Sequence, residues 1–326
     1  MSRQNLEIEG ISEYKKVIDH VFDNGEWASP RGLNTLEIAP ISITILDPLD
    51  RVFFDINRNL NIAFSLAEWL WIIGGRNDLA MLEFYNSNMK KYSDDGVSLH
   101  GAYGKRIRMK EPNSVDQLAE ILDKLRSDKF SRQAVITIFD PSVDYQPTKD
   151  VPCTVTFQFI LRNDLLRMIT FMRSNDVYFG FPNDIFNFTF IQEVIANSLG
   201  VGVGTYTHNV GSFHLYETEF EKAKYVIEPI GDICSPSEID CSDIGFLLFN
   251  EEKIRRGDLL LSDLNNKKNG YCEVKSALID ILRIFIYYRL LKMSSFDEIV
   301  NDLKNRIPNI YDQFILRSLR LKSVNI

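Results

Sequence analysis

A cysteine at the start of a strand can present a thiol at the strand's end, and Val151-Pro152-Cys153-Thr154 has that form. Thiols attack as thiolates, so a nucleophilic cysteine needs positive charge beside it. Arg173 could supply it. The runs Thr154 to Leu161 and Leu165 to Met172 read as strands paired around Arg162-Asn163-Asp164, which returns Arg173 toward Cys153. An arbitrary cysteine is more often a small buried apolar residue, so this pairing needs company.

The segment from Met172 to Asp184 provides it. Arg173, Ser174, Asn175, Asp176, Asn183 and Asp184 sit among Val177, Tyr178, Phe179 and Phe181, in a Gly/Pro-containing loop between a strand and a helix. Polar groups packed that densely beside apolar ones are typical of ligand sites. A wholly solvated loop would not carry the four apolar residues. In Asn209 to Tyr216 a strand ends at Gly211-Ser212, and His214 and Tyr216 fall near the start of a helix. A lone histidine there is more often structural.

The elements that must position these groups follow from periodicity. Ser12 to Phe22 reads as a helix ended by Asn24-Gly25, and Thr35 to Leu46 as one strand stopped by Asp47-Pro48. Phe64 to Ile73 is an apolar helix with Glu68 inside it, closed by Gly74-Gly75. Ala134 to Phe139 and Gly204 to Val210 are strands, and Phe186 to Leu199 is a helix stopped by Gly200. Ile230 to Asp243, rich in Pro, Ser, Cys and Asp, is a connector. Helices over Glu273 to Met293 and Ser295 to Ile307, and a third after Pro308, complete the chain. The expected fold class is α+β: a core over residues 1–230 and a connector with a helical extension over 231–326.

The 326 residues are 45% apolar and 25% charged, as in an ordinary globular protein, and the net charge of −8 speaks against broad phosphate neutralisation on nucleic acid. Cys153, Cys234, Cys241 and Cys272 form no C-x-x-C pair, so no metal knuckle or dithiol motif is expected. A sparse, unpaired set suits a reducing compartment. MSRQNLEIEG lacks an apolar signal core, and the most apolar late stretch is broken by Asp280, Arg283 and Arg289, so a cytoplasmic protein without a membrane span is expected.

Taken together, Pro152-Cys153, Arg173-Ser174-x-Asp176, Gly180-x-Pro182 and Gly211-x-x-His214-Leu215-Tyr216 resemble thymidylate synthases in order and spacing. Glu68 in AEWLWIIGG, Tyr103-Gly104 in GAYGKR and Ser131-Arg132 are similar to further motifs of that family. The likeness covers roughly residues 12–225, and the combination is far more specific than any one motif. It implies a mixed sheet flanked by helices and a homodimer.

It also implies roles. Cys153 would attack C6 of a pyrimidine and make C5 nucleophilic. Arg173 and Ser174 would bind the phosphate and sugar end, joined by Arg132 of the other subunit, and Arg31 would assist there. Asp176, with Gly180, would hold the co-substrate 5,10-methylenetetrahydrofolate. His214 and Tyr216 would bond the 3′-hydroxyl. Glu68 would order water and relay protons, and Tyr103 would help remove the C5 proton.

Departures from the family pattern choose the substrate. Where uracil-specific synthases have the asparagine of P-F-N, this chain has Asp184, the family's mark of cytosine recognition. A carboxyl group there matches the N4 amino group and N3 of cytosine. A plain helix cap before Ile185 is the bland alternative. Thr154, Met172 and the run MRSNDVYFGFPND look closest to bacteriophage deoxycytidylate hydroxymethylases. The stretch Asn86 to Gly101 has no tryptophan to shield a methylene intermediate from water, so 5-hydroxymethyl-dCMP is the expected product. A CMP 5-hydroxymethylase and a methylating synthase acting on dUMP are the alternatives. Gln133 replaces the second arginine of the S-R-R segment, Arg31 sits one place from the usual phosphate-loop arginine, and Glu217-Thr218-Glu219 replaces S-N-H.

Overall fold

Alternating isoleucines make an inner strand of the larger sheet: Ile41, Ile43 and Ile45 are buried while Ser42 and Thr44 are only partly covered. The computed structural model describes residues 3–53, 55, 58, 60–227, 236–266, 269–306, 309 and 311–322. The first third holds β1 (Asn5–Ile8), α1 (Tyr14–Asn24), β2 (Glu26–Ala28), β3 (Thr35–Ile38), β4 (Ile41–Ile45), α2 (Ile62–Ile73) and α3 (Leu79–Tyr85). Then come α4 (Tyr103–Arg108), α5 (Gln117–Ser127), β5 (Val135–Thr137), β6 (Thr154–Arg162), β7 (Leu165–Met172), β8 (Asn175–Asp176), α6 (Gly180–Leu199), β9 (Gly202–Val210), β10 (Phe213–Tyr216) and α7 (Phe220–Lys224). The C-terminal part is α8 (Ile244–Arg256), α9 (Leu261–Asn265), α10 (Ser276–Lys292), α11 (Phe296–Lys304) and α12 (Asp312–Leu321).

A larger mixed sheet runs β1-β4-β9-β7-β6-β5, and a smaller one β2-β3-β10-β8. The helix α6 covers one face of the larger sheet, burying Phe157, Phe159, Met168 and Tyr206 beneath it. The expected α+β class, with mixed sheets flanked by helices, is the observed one. The hairpin of β6 and β7 turns at Asn163 and Asp164, both at φ 54°, a left-handed turn that matches strand twist.

Three sequence expectations need correction. Thr35 to Leu46 is two strands, because Pro40 lacks the N–H a continuous ladder would need; β3 joins the smaller sheet and β4 the larger. The helix expected from Phe186 begins at Gly180: its first turns need no internal N–H partners, so Pro182 is tolerated there. His214 and Tyr216 lie on a strand, β10, paired with β3 and β8, and not at a helix start.

The C-terminal helices include two not expected from the sequence, α8 and α9. The ends proposed at Ile307 and Pro308, and much of the 230–243 connector, lie outside the described residues. α8 and α10 pack on α2. Tyr85 donates to Glu251 Oε1 at 3.0 Å, Tyr288 donates to the Tyr85 carbonyl at 2.6 Å, and Arg317 donates to the carbonyls of Asp55 and Arg58. A buried ion pair, Arg51 to Glu193 at 2.6 Å, ties the chain after β4 to α6. Among the described residues no helix is long and apolar enough to cross a membrane.

Candidate active site

Cys153 stands just before β6, and β7 brings Arg173 back to it as the hairpin requires. The arginine is held by its own hydrogen bonds: Nε donates to the Pro152 carbonyl at 2.9 Å and a terminal nitrogen donates to the Val151 carbonyl at 2.9 Å. The same terminal nitrogen lies 3.5 Å from Cys153 Sγ. Burial pushes the thiol's pKa up; Arg173 pulls it down, Asp184 and Asp150 push it up, and Arg31 pulls it down. Arg31, exposed and at φ 55° in the turn between β2 and β3, is therefore close enough to act on the sulfur. The resting group is a thiol, with two cations in place to favour its ionisation.

Tyr103 begins α4, and its hydroxyl accepts the Thr154 backbone N–H at 3.3 Å, one residue beyond the cysteine. Burial holds the phenol neutral, well above its ordinary pKa, with Cys153 and Asp184 adding to the shift. A neutral tyrosine beside a nucleophile can still donate one hydrogen bond.

Two carboxyl groups face each other across the α2–α6 contact. Asp184 is inside α6, not at its cap, so the capping alternative fails. Its Oδ2 accepts from Asn175 Nδ2 at 2.7 Å, and burial, then the Glu68 charge, hold its pKa well above the carboxylate range. Glu68 Oε2 accepts from Asn187 Nδ2 at 2.7 Å and from Asn183 Nδ2. Burial pushes Glu68 up to about 7, the two amides pull it back, and Asp150 raises it. Glu68, Asp184 and Tyr103 each keep some accessible surface while their ionisable atoms are surrounded, as expected of groups that line a recess.

A polar chain runs behind Asp184. Asn175 Oδ1 meets His208 Nε2 at 3.0 Å, and His208 Nδ1 meets the Tyr206 hydroxyl at 2.8 Å. Burial drives His208 down to about 3, so it is a neutral ring. With the neutral Nε2–H donating to Oδ1, the Asn175 amide keeps its N–H toward Asp184. Gly180 is needed beneath this contact: a Cβ there would stand 2.9 Å from Asn175 Nδ2.

Asp176 Oδ1 accepts the backbone N–H groups of Tyr178 and Phe179 at 2.7 and 2.8 Å, which turns the chain into α6. Burial raises its pKa, while those donors, His214 and Arg58 lower it. His214, opposite it in the β8–β10 register, meets the ring of Tyr216 edge-on at 5.0 Å. Ser174 is half-buried between Arg173 and Asn175. Arg132 is exposed at the edge of the larger sheet, before β5, where its carbonyl accepts from Gln158.

The fold thus brings Cys153, Arg173, Arg31, Tyr103, Asp184, Glu68, Asp176 and His214 into one electrostatically linked cluster, with Gly180 beneath it and Tyr216 against His214. Arg132 is not shown to join it. Sequence reasoning did not single out Asn187, Ser65 or His208, and it named Asn175 and Asn183 only as polar members of the loop segment, with no role of their own. Two signals were available: Ser65/Glu68 and Asn183/Asn187 repeat at i,i+3 and i,i+4, the spacing of same-face helix neighbours. Among the described residues no group of three or more His, Cys, Asp or Glu side chains could hold a metal.

Residues 12–232, more than half of the chain, match the family model described as thymidylate synthase. The chain is 37% identical over 218 residues to the deoxyuridylate hydroxymethyltransferase of Bacillus phage SP01, covering 64% of this chain and 57% of that one. It is 34% identical over 199 residues to the enzyme of the same name from Pseudomonas phage M6, covering 60% and 55%. A third of that name, from Delftia phage PhiW-14, is 32% identical over 206 residues, covering 59% and 56%. The matched region spans a little over half the length of these relatives. With the motif order and the clustered site, the family match makes this chain a member of the thymidylate synthase family.

Proposed function

We propose that this protein transfers the one-carbon unit of 5,10-methylenetetrahydrofolate to C5 of a cytosine nucleotide, dCMP preferred, and that water captures it to give 5-hydroxymethyl-dCMP. The observation that carries the reading is a buried carboxyl group, Asp184, linked to both the thiol of Cys153 and the carboxyl of Glu68. The Cys153 thiolate adds to C6, and Asp184 accepts from N4 while supporting the proton on N3 as charge moves into the ring. Arg173, Ser174 and Arg31 take the phosphate end, and His214 with Tyr216 the 3′-hydroxyl. Asp176, whose Oδ2 is not used in capping, suits the N–H donors of a pterin above Gly180. Tyr103 helps remove the C5 proton, and Glu68 takes a proton from water.

Hydroxymethyl rather than methyl product is supported by the aromatic inventory. Trp69 is stacked on Phe190 in the core, Trp71 donates to the Asp78 carbonyl, and Trp27 is exposed on β2. The stretch over 86–101 that could shield the site has Met89 and Tyr92 in place of a tryptophan. The relatives' names support the same reaction class. Those names also favour a second reading, dUMP as the base: a neutral Asp184 acid could donate to O4 and accept from N3–H.

We further read residues 1–230 as the catalytic core and 231–326 as its connector and helical extension, in a cytoplasmic homodimer. The outer face of the larger sheet supports dimerisation, since Phe171, Leu165 and Val135 stand exposed on it, with Arg132 at its edge. The test is tritium release from [5-³H]-labelled dCMP, CMP and dUMP with methylenetetrahydrofolate, followed by product identification. Native protein should release tritium fastest from dCMP and form the hydroxymethyl product, and Cys153→Ala should release none. Release by Cys153→Ala at the native rate ends the proposal; faster turnover of dUMP transfers it to the second reading.

A further inference from the structure

The Glu68 carboxylate is held by a clamp built from two helices. Ser65 and Glu68 share one face of α2, and Asn183 and Asn187 share one face of α6. Ser65 Oγ, fully buried, donates to Asn183 Oδ1 at 2.6 Å. Ser65 Oγ also lies 3.4 Å from the Asn61 carbonyl, and its shorter bond to Oδ1 leaves the Asn183 amide nitrogen to donate to Glu68. Asn183 and Asn187 converge on the same oxygen, Oε2.

We propose that Asn183, locked by Ser65, is a positioning residue for Glu68: it occupies Oε2 and aims Oε1 at the water that captures the one-carbon unit. This inference rests on the hydroxymethylating reading above and names the residue that steers its last step. After tetrahydrofolate leaves, C5 carries an exocyclic methylene while C6 is still bonded to Cys153 Sγ. The water oxygen bonds to the methylene carbon, its proton passes to Oε1, and the electron pair of the exocyclic double bond moves into the ring. That pair then restores C5=C6 as the C6–S bond breaks, releasing the thiolate. A carboxylate free to rotate, or protonated beforehand, would not take that proton.

Of the acidic groups facing Glu68, Asp150 in the segment before β6 acts against its ionisation, while Asp184 on α6 is itself pushed toward its neutral form by the Glu68 charge. The amides are therefore what keeps the proton-accepting form populated at neutral pH. Losing an amide donor to a buried carboxylate moves its midpoint up by about one to two pH units. Removing one moves the acid limb of the pH profile upward, because the group must be deprotonated to act.

The test compares native protein with Asn183→Leu and Ser65→Ala, across pH, with [5-³H]-dCMP and methylenetetrahydrofolate (with dUMP if that base is turned over faster). Tritium release reports loss of the C5 proton, before water capture; hydroxymethyl product reports the capture itself. In Asn183→Leu the midpoint for product should rise by about one unit or more. Product per tritium released should fall several-fold at pH 7, the shortfall appearing as covalent adduct on Cys153. Ser65→Ala should move both in the same direction by less, and it alone decides the matter if Asn183→Leu does not fold. An unmoved midpoint, or equal loss of tritium release and product, overturns the role of Asn183. No tritium release by the native protein from any pyrimidine nucleotide sinks the proposed function instead.

Discussion

Replacing Asp184 by asparagine exchanges one oxygen for an amino group in a buried site where the other oxygen is already engaged. In the native protein Oδ2 already accepts from Asn175, whose amide orientation is set by the neutral His208 behind it. The substituted side chain must therefore keep its oxygen toward Asn175 and turn its NH₂ into the base site. Uracil, with O4 as acceptor and N3–H as donor, suits that arrangement. Cytosine meets NH₂ against its own amino group. Each buried group left without a partner costs roughly 1–3 kcal/mol, and the substitution creates one such mismatch for cytosine while uracil, which the neutral acid could already pair, gains none. The one mismatch is worth at least about 1 kcal/mol, so the ratio of kcat/KM for dCMP over dUMP should drop about fivefold or more. Parallel tritium-release assays at fixed salt measure it. The native enzyme carries a companion expectation: Asp184's raised pKa keeps it neutral at moderate pH, so any turnover of dUMP should decline as pH rises and the carboxylate faces O4. A ratio unchanged by Asp184→Asn would show that this side chain does not read the base.

Gly180→Ala should weaken base discrimination about tenfold through the 2.9 Å approach of its Cβ to Asn175 Nδ2, with little change in thermal stability; KM and base preference measured together check it. His208, neutral in the fold with a pKa of about 3, takes up a proton near pH 6.5 once the chain unfolds, so stability must fall as pH drops below that value. By pH 5 the loss attributable to this one ring is about 2 kcal/mol, and denaturant titrations of native and His208→Gln protein at pH 7 and 5 should show it only in the former.

Much of the site was legible because its chemistry is carried by residue types at fixed separations along elements with clear periods. The β6–β7 hairpin is an example. Its two apolar runs and its Asn-Asp turn require pairing, and pairing requires that Arg173 return to Cys153. Glu68 was legible for another reason. A lone carboxylate in the run FSLAEWLWII must either be desolvated or find donors, and it does both. The strand over Thr35 to Leu46 misled because composition outweighed Pro40, although a missing N–H at that place is enough to send the two halves to different sheets.

What the sequence concealed is the set of partners of Glu68, since Asn183 and Asn187 lie 115 and 119 residues further along the chain. Sequence periodicity starts α6 at Phe186 and leaves Asn183 in a loop. Starting the helix six residues earlier puts Asn183 and Asn187 on one face and Asp184 on the next, turned toward Asn175. That shift of register separates two tasks along one helix. In the proposed reaction one face conditions the proton-accepting carboxylate, and the adjoining position reads the base. The two carboxyl groups then compete for charge, so Asp184, with the more strongly raised pKa, holds its proton while Glu68 titrates near neutrality. The proposed C5 hydroxymethylation needs a base-reading acid that stays neutral and a water-activating carboxylate that ionises at neighbouring positions, and on that proposal the α2–α6 contact supplies the pair.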